Sequence, residues 1–360
     1  MRAIQALLLR ADPVDVITVA EELKRQGVFE ESGGHTTLAL LQEEGTVATS
    51  AASYLLIIRE CAARRELIRE ARLMLERAYD EKEVVQDIIG DHVTAVIRVE
   101  TEYAPNKVIG PKPFAEELRT GSEPSRIQTG LMVFDEIAGG GVTTSDLIVV
   151  AGRPGMGKTA TGVQIAYHTS TVLGVPTLFL SLDMTRRQIG KRYLSFASLE
   201  TLEDSGFHIA DPTAPKIGVV AAMVRRMVTQ HAIQVVVLDH LHKVKPTRQN
   251  PMRHLEVAEI ATGLRDLARG LDIPIIVLCQ MSRAVEKRND PRPVLSDLRE
   301  SGAIEEEAAM VVFQWSPDER RIGKDPLPIV LSLEKNRHGP TGDCAYTFLK
   351  SRGRIEAATR

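Results

Sequence analysis

SDLIVVAGRPGMGKT, residues 145–159, joins three signals in one short stretch. Leu147–Ala151 is an apolar, β-branched run of strand length. It leads straight into GRPGMGKT (Gly152–Thr159), which matches the pattern G-x-x-x-x-G-K-[ST]. A helical pattern then continues over Thr159–Leu173. The physics of phosphate capture needs each part. Glycines let successive backbone N–H groups turn inward around phosphate oxygens, and a helix N-terminus adds positive potential. Gly152, Pro154, Gly155, Met156, Gly157, Lys158, Thr159 and Ala160 are the candidate cradle for ATP. Lys158 is placed to reach the β- and γ-phosphates, and the Thr159 hydroxyl to ligate Mg²⁺.

Outward from this stretch the alternation repeats. TLFLSL (177–182), QVVVLD (234–239), PIIVLCQ (274–280), MVVFQW (310–315) and PIVLSLEK (328–335) read as strands. Helical patterns over Val219–His231 and Leu255–Leu271 fall between them. Near-continuous apolar strands alternating with helices imply an α/β domain, 126–360, with a mostly parallel sheet covered on both faces.

Strand ends supply the chemistry. Asp239 ends QVVVLD, where a carboxylate can share the Mg²⁺ with Thr159. Asp183 follows TLFLSL and is a candidate for activating the attacking water. The competing reading makes it a cap for the helix TRRQIGKRYL, a task Thr185 can also perform. Gln280 ends PIIVLCQ and is a candidate contact for the γ-phosphate or the water. His240 and His242 have no third ligand at metal spacing and read as loop histidines. The loop 281–308 gathers Arg283, Lys287, Arg288, Arg292 and Arg299, which suits a nucleic-acid backbone; acids interleave, so a charged surface loop is the alternative. In EKNRHGPTG (334–342), Lys335 and Arg337 lie two apart and are expected on one strand face. Two cations aimed together suit a γ-phosphate, while an exposed hairpin tip explains them equally well.

Before residue 126 the chain is helical. In ADPVDVITVAEELKRQG, Asp12 is the expected N-cap, Pro13 the first helical residue and Gly27 the terminator. Val16, Val19, Ala20 and Leu23 share a face. A longer helix over 50–79 carries an apolar stripe through Tyr54, Ile57, Ile58, Cys61, Leu67, Ile68, Ala71 and Leu75, and a third spans Glu83–Glu100. Pro105, Pro111, Pro113 and Pro124 with Gly110 and Gly121 then break regular structure, with room for a short helix at 114–119. The expected organisation is a small all-α domain (1–100), a linker (101–125) and the α/β domain (126–360).

Composition excludes several classes. The 360 residues are 43% hydrophobic, which rules out a disordered or collagen-like chain. Forty-five Lys and Arg against 48 Asp and Glu give a net charge of −3, so any nucleic-acid contact must be local. Cys61, Cys279 and Cys344 are too scattered for a thiolate metal site and fit a reducing compartment. No apolar run approaches the roughly 20 residues needed to cross a bilayer, and the N-terminus does not read as a signal peptide. A soluble, cytoplasmic protein is expected.

These segments, in this order, resemble the DnaB family of replicative helicases, a branch of the RecA-like ATPases. TGLMVFDEIAGGG, SDLIVVAGRPGMGKT, FLSLDM, VVLDHL, IPIIVLCQMSRAVEKR, SDLRESGAIEEEA and EKNRHGPTG carry the likeness, with SDLRESG the most specific. VDVITVAEELKRQGVFEESGG and ASYLLIIRECAARRELI are similar to the second half of the family's N-terminal domain. The resemblance implies a RecA-like fold and makes Asp239 the Walker B acid and Gln280 the γ-phosphate sensor. It puts Arg299, Glu300 and Gly302 on the loop that tracks DNA, and Lys335 with Arg337 on a pair reaching the neighbouring subunit's nucleotide. It implies a homo-hexameric ring translocating 5′ to 3′ on single-stranded DNA at a fork in a bacterial cytoplasm, with primase and a helicase loader as candidate partners. Asp183 stands where the family has Glu, one methylene longer. The trimmed N-terminal domain and short linker point to a phage or mobile-element version. The alternative is a non-motor ATP-binding switch or assembly factor acting on a replicative helicase. A filament-forming recombinase fits SDLRESG and KNRHG poorly.

Overall fold

The computed structural model describes residues 3, 6, 15–38, 51–103, 110–112, 115, 119, 125–247, 250–281, 292–298 and 302–358. The chain forms two compact units, one of Met1–Arg69 with Val99–Ala104 and the other of Glu70–Arg98 with Pro105–Arg360. This division cuts the long helix Ala51–Ala78 between Arg69 and Glu70, whereas the sequence suggests a boundary near residue 100. The physical reason is the set of contacts that residues 70–98 make with the α/β part, described below.

In the first unit, α1 spans Val16–Arg25. Asp15 is its N-cap, accepting from the N–H groups of Ile17 and Thr18, and Thr18 closes a capping box. The cap therefore lies three residues beyond the expected Asp12, which with Pro13 falls outside the described residues. Gly27 ends the helix in the left-handed region at φ 72°. Val16, Val19, Ala20 and Leu23 pack with Phe29 and Leu38, as their shared face required. Next along the chain come α2 (Ala51–Ala78) and α3 (Val85–Tyr103), each divided between the two units, with α3 reaching three residues past its expected end. Much of the expected stripe on α2 is exposed: Ile58, Cys61, Leu67, Ile68 and Leu75 all face solvent in the single chain.

The second unit contains β1 (Arg126–Ile127), α4 (Met132–Ile137), β2 (Val142–Thr143) and β3 (Leu147–Gly152). After β3 come α5 (Lys158–Tyr167), which continues into a π-type turn over His168–Val172, and β4 (Thr177–Ser181). Then follow α6 (Arg186–Tyr193), α7 (Leu199–Glu203), β5 (Phe207–Ala210), α8 (Ile217–His231) and β6 (Val235–Asp239). The unit closes with α9 (Arg253–Leu271), β7 (Ile275–Gln280), α10 (Gly302–Glu307), β8 (Met310–Trp315), β9 (Leu327–Asn336), β10 (Gly342–Leu349) and β11 (Arg354–Ala357).

The main sheet runs β11-β10-β9-β8-β3-β7-β6-β4-β5. The strands from β8 to β5 pair in parallel, and β9, β10 and β11 add an antiparallel margin. Every residue of β3, β4 and β6 is buried, as strands covered on both faces must be. One core layer joins Leu178, Leu180, Val236 and Leu238 to α8 and α9, and the other joins Phe179, Val235 and Val237 to α5. Parallel pairing brings the carboxyl ends of β3, β4, β6 and β7 to one edge, where ligands of such sheets bind.

Within this unit, α3 lies against α8. Lys216, the residue before α8, pairs with Asp91 at 3.3 Å, and Arg77 bonds both Glu83 and Asp91. Gly90 and Gly218 allow the close approach: a Cβ on Gly218 would stand 2.2 Å from the Gly90 carbonyl oxygen.

Candidate nucleotide site

The site begins at the end of β3. Gly155 and Gly157 hold φ of 84° and 92°, conformations that a side chain disfavours. A Cβ on Gly157 would also press within 3.0 Å of the Phe348 ring. The loop is supported from beneath by a buried residue that sequence reasoning missed. Gln314 in β8 donates from Nε2 to the Met156 carbonyl at 2.7 Å and accepts from Thr161 Oγ1 at 2.8 Å. The signal available was a single polar residue inside the apolar run MVVFQW. Buried, an amide must spend its hydrogen bonds on specific partners, and here both belong to the loop and its helix.

Lys158 donates from Nζ to the carbonyls of Gly152 at 2.7 Å and Arg153 at 2.9 Å. Burial pushes its pKa down to about 8, with Asp239 pulling the other way. Thr159 Oγ1 donates to Asp239 Oδ2 at 2.7 Å. Desolvation raises the Asp239 carboxyl above its ordinary range, and the Thr159 hydrogen bond opposes that. Two hard oxygen ligands converging in a buried place fit Mg²⁺, which takes few protein ligands and fills its shell with water and phosphate oxygens.

A cavity of about 580 Å³ opens above these groups. Pro154, Gly155, Gly157, Lys158, Thr159 and Ala160 line it together with Asp183, Asp239 and Gln280. Backbone register explains the convergence: Ser181 pairs with Asp239 and Gly152 with Gln280 across neighbouring strands. Of the expected cradle, Gly152 ends β3 and Met156 is buried in the loop. Asp183 is not the helix cap; Thr185 caps α6, in a box with Gln188. His240 also lines the cavity, and burial lowers its pKa, so its ring is neutral near pH 7. Sequence reasoning did not name the remaining lining, which includes Arg192 on α6, Phe348 and the turn Lys350–Gly353 after β10. Those positions carry no motif: Arg192 reaches the cavity from α6, and Phe348 with the turn after β10 only through the antiparallel margin of the sheet.

Lys335 and Arg337 lie elsewhere. Met310 pairs with Asn336, the Arg337 N–H donates to the Ala309 carbonyl, and the Ala309 N–H donates to that of Leu147. Leu147 is the first residue of β3, whereas the phosphate loop follows its last. Five strand steps separate them by roughly 17 Å. β9 ends at Asn336, so Arg337 lies past the strand alternation expected to align the pair. Lys335 Nζ donates to the Glu305 carbonyl at 2.5 Å, while Arg337 is exposed and makes no ion pair among the described residues. Of the expected DNA loop, Gly302 opens α10; Arg299 and Glu300 lie outside the described residues.

The family described as DnaB-like helicase C terminal domain matches residues 126–201 and 196–357. The chain belongs to the DnaB-like helicases. The N terminal domain of the same family matches residues 2–60. Among curated relatives, the replicative DNA helicase DnaC of Bacillus subtilis is 28% identical over 95% of this chain and 82% of its own length. The replicative DNA helicase DnaB of Geobacillus stearothermophilus gives the same figures. A solved DnaB-like replicative helicase, described with its interactions with primase, superposes with a TM-score of 0.69 at 22% identity. It covers 99% of this chain and 90% of that one. A second solved structure, described as an ATPase domain, superposes with a TM-score of 0.60 at 25% identity, over 68% of this chain and 96% of that one. Family membership makes the chain an ATP-hydrolysing replicative DNA helicase. Among the described residues, no helix is long and apolar enough to cross a membrane.

Proposed function

We propose that this helicase couples Mg-ATP hydrolysis to 5′ to 3′ translocation on single-stranded DNA and unwinds duplex at a replication fork, as a homo-hexameric ring. The observation that carries this reading is a divided site. Lys158, Thr159, Asp183, Asp239 and Gln280 gather at one end of β3, and Arg337 stands at the other. A cation that far from its own phosphate loop suits the nucleotide of an adjoining subunit, where it would stabilise charge on the transferring phosphoryl group. Exposed Ile68, Leu75, Tyr79 and Val85 on the helical hairpin support self-association.

Lys158 holds the β- and γ-phosphates, Asp183 orients the attacking water, and Gln280 contacts the γ-phosphate. Thr159 and Asp239 would hold Mg²⁺, which supplies positive charge to the phosphate oxygens. Arg299, Glu300 and Gly302 lie on the loop that grips the DNA backbone, and Lys335 accompanies Arg337 toward the neighbour. Residues 1–100 serve as the collar, joined by the 101–125 linker to the motor, 126–360. Primase and a loader are the proposed protein partners, and the bacterial cytoplasm the proposed location.

Steady-state Mg-ATP hydrolysis with and without single-stranded DNA, beside Lys158→Ala, tests the motor. DNA-stimulated turnover abolished in the variant supports it, and forked substrates then report polarity. ATP binding without turnover would favour the second reading, a nucleotide-gated switch acting on another helicase. The shorter acid at Asp183 is the observation on that side.

A further inference from the structure

We propose that Lys243 is a positioning residue for Asp183, holding this short carboxylate in the orientation that serves the attacking water. Lys243 Nζ stands 3.2 Å from Asp183 Oδ1. Both side chains are about half exposed, at 46% and 52%, so the pair sits at the mouth of the cavity that Asp183 lines. An unheld aspartate at such a mouth exchanges rotamers freely.

The backbone explains why the two residues meet. Ser181 and Asp239 are partners across β4 and β6, and the Leu182 N–H donates to the Asp239 carbonyl. Asp183 follows two residues beyond that register. Lys243 ends the tight turn Leu241–Lys243, secured by N–H bonds from Lys243 to the His240 carbonyl and from Val244 to that of Leu241. Lysine and aspartate thus project from the frame that carries the Asp239 carboxylate. Thr185 and Gln188 satisfy the start of α6 without Asp183, which leaves the acid available to Lys243. With Oδ1 engaged by the ammonium, Oδ2 remains to accept from a water in the cavity. Ion pairs this exposed add little to stability, so the consequence falls on orientation.

This inference rests on Asp183 being the water-orienting acid, and the experiment separates the two. DNA-stimulated ATP turnover is measured for Asp183→Asn, Lys243→Met, Lys243→Arg and the double variant Asp183→Asn/Lys243→Met. Lys243→Met is expected to lower kcat about tenfold with KM for ATP within about twofold, because misorientation affects the chemical step more than binding. Lys243→Arg should restore most of the loss, and Lys243→Met should cost nothing further in the Asp183→Asn background. Unchanged or raised kcat in Lys243→Met, while Asp183→Asn is inactive, overturns the positioning role alone. Near-normal turnover in Asp183→Asn overturns the reading beneath it.

Discussion

The Thr159 hydroxyl donates to the Asp239 carboxylate at 2.7 Å, bridging the first turn of α5 and the last residue of β6. The proposed function puts one Mg²⁺ between these two oxygens. Asp239→Asn keeps the size of the side chain and removes its charge. Mg²⁺-dependent turnover should fall by about 100-fold or more, with nucleotide binding weakened far less. Titrating Mg²⁺ against hydrolysis rate checks this, and wild-type turnover in the variant would remove Asp239 from the metal site.

Arg337→Ala should leave ATP binding nearly intact and stop turnover. Mixing it with Lys158→Ala makes the stronger test. A mixed ring contains junctions in which an intact phosphate loop faces an intact Arg337, so two inactive preparations should recover part of the activity when combined. Silence at every mixing ratio would contradict a site shared between subunits.

Lys158 gives a pH signature in the nucleotide-free protein. Its pKa is lowered from 10.5 to about 8 by burial, so the folded state gives up its proton before the unfolded state does. Below pH 8 the folded chain bears the full cost of a buried charge, roughly 3 kcal/mol by linkage. Between pH 8 and 10.5 that cost is relieved as the folded lysine becomes neutral. Lys158→Met should therefore be more stable than the parent at pH 7, and its advantage should shrink across that window. Urea melts at several pH values measure it.

Gln314→Leu tests the support under the phosphate loop. It strands the Met156 carbonyl and deprives the Thr161 hydroxyl of its 2.8 Å partner. A loss of roughly 2–3 kcal/mol in stability is expected. KM for ATP should rise as well, a response that a purely structural core residue would not give. Urea unfolding with ATP kinetics gives both numbers.

Gly218→Ala should loosen α3 from α8. The added methyl would stand 2.1 Å from Thr94 Oγ1 and 2.2 Å from the Gly90 carbonyl oxygen. Overpacking of this kind costs roughly 1–3 kcal/mol. Proteolysis within 79–84 should become faster, and an unchanged cleavage rate would show that the crossing is not what holds the hairpin.

The α/β half was legible because each apolar run and each strand end obeys a local rule. GRPGMGKT, Asp183, Asp239 and Gln280 reach one cavity since parallel strands expose their carboxyl ends together. Gln314, Arg192 and Phe348 were illegible for the opposite reason: their roles arise from strand order and packing, which no window of sequence contains. The cap of α1 was misplaced because Asp12 and Asp15 both precede the same apolar face, and only backbone geometry chooses between them. Lys335 and Arg337 were expected on one strand face, but strand alternation could not describe a pair straddling the end of β9.

The opposite placement of the phosphate loop and Arg337 along β3 has a kinetic meaning. On the proposed reading of a site shared between subunits, a chain carrying two halves of two different sites would be inert by itself, and its specific rate would obey mass action. Dilution below the dissociation constant of the assembly would silence the motor without any inhibitor, and fuel would be consumed only where subunits are numerous enough to close on one another.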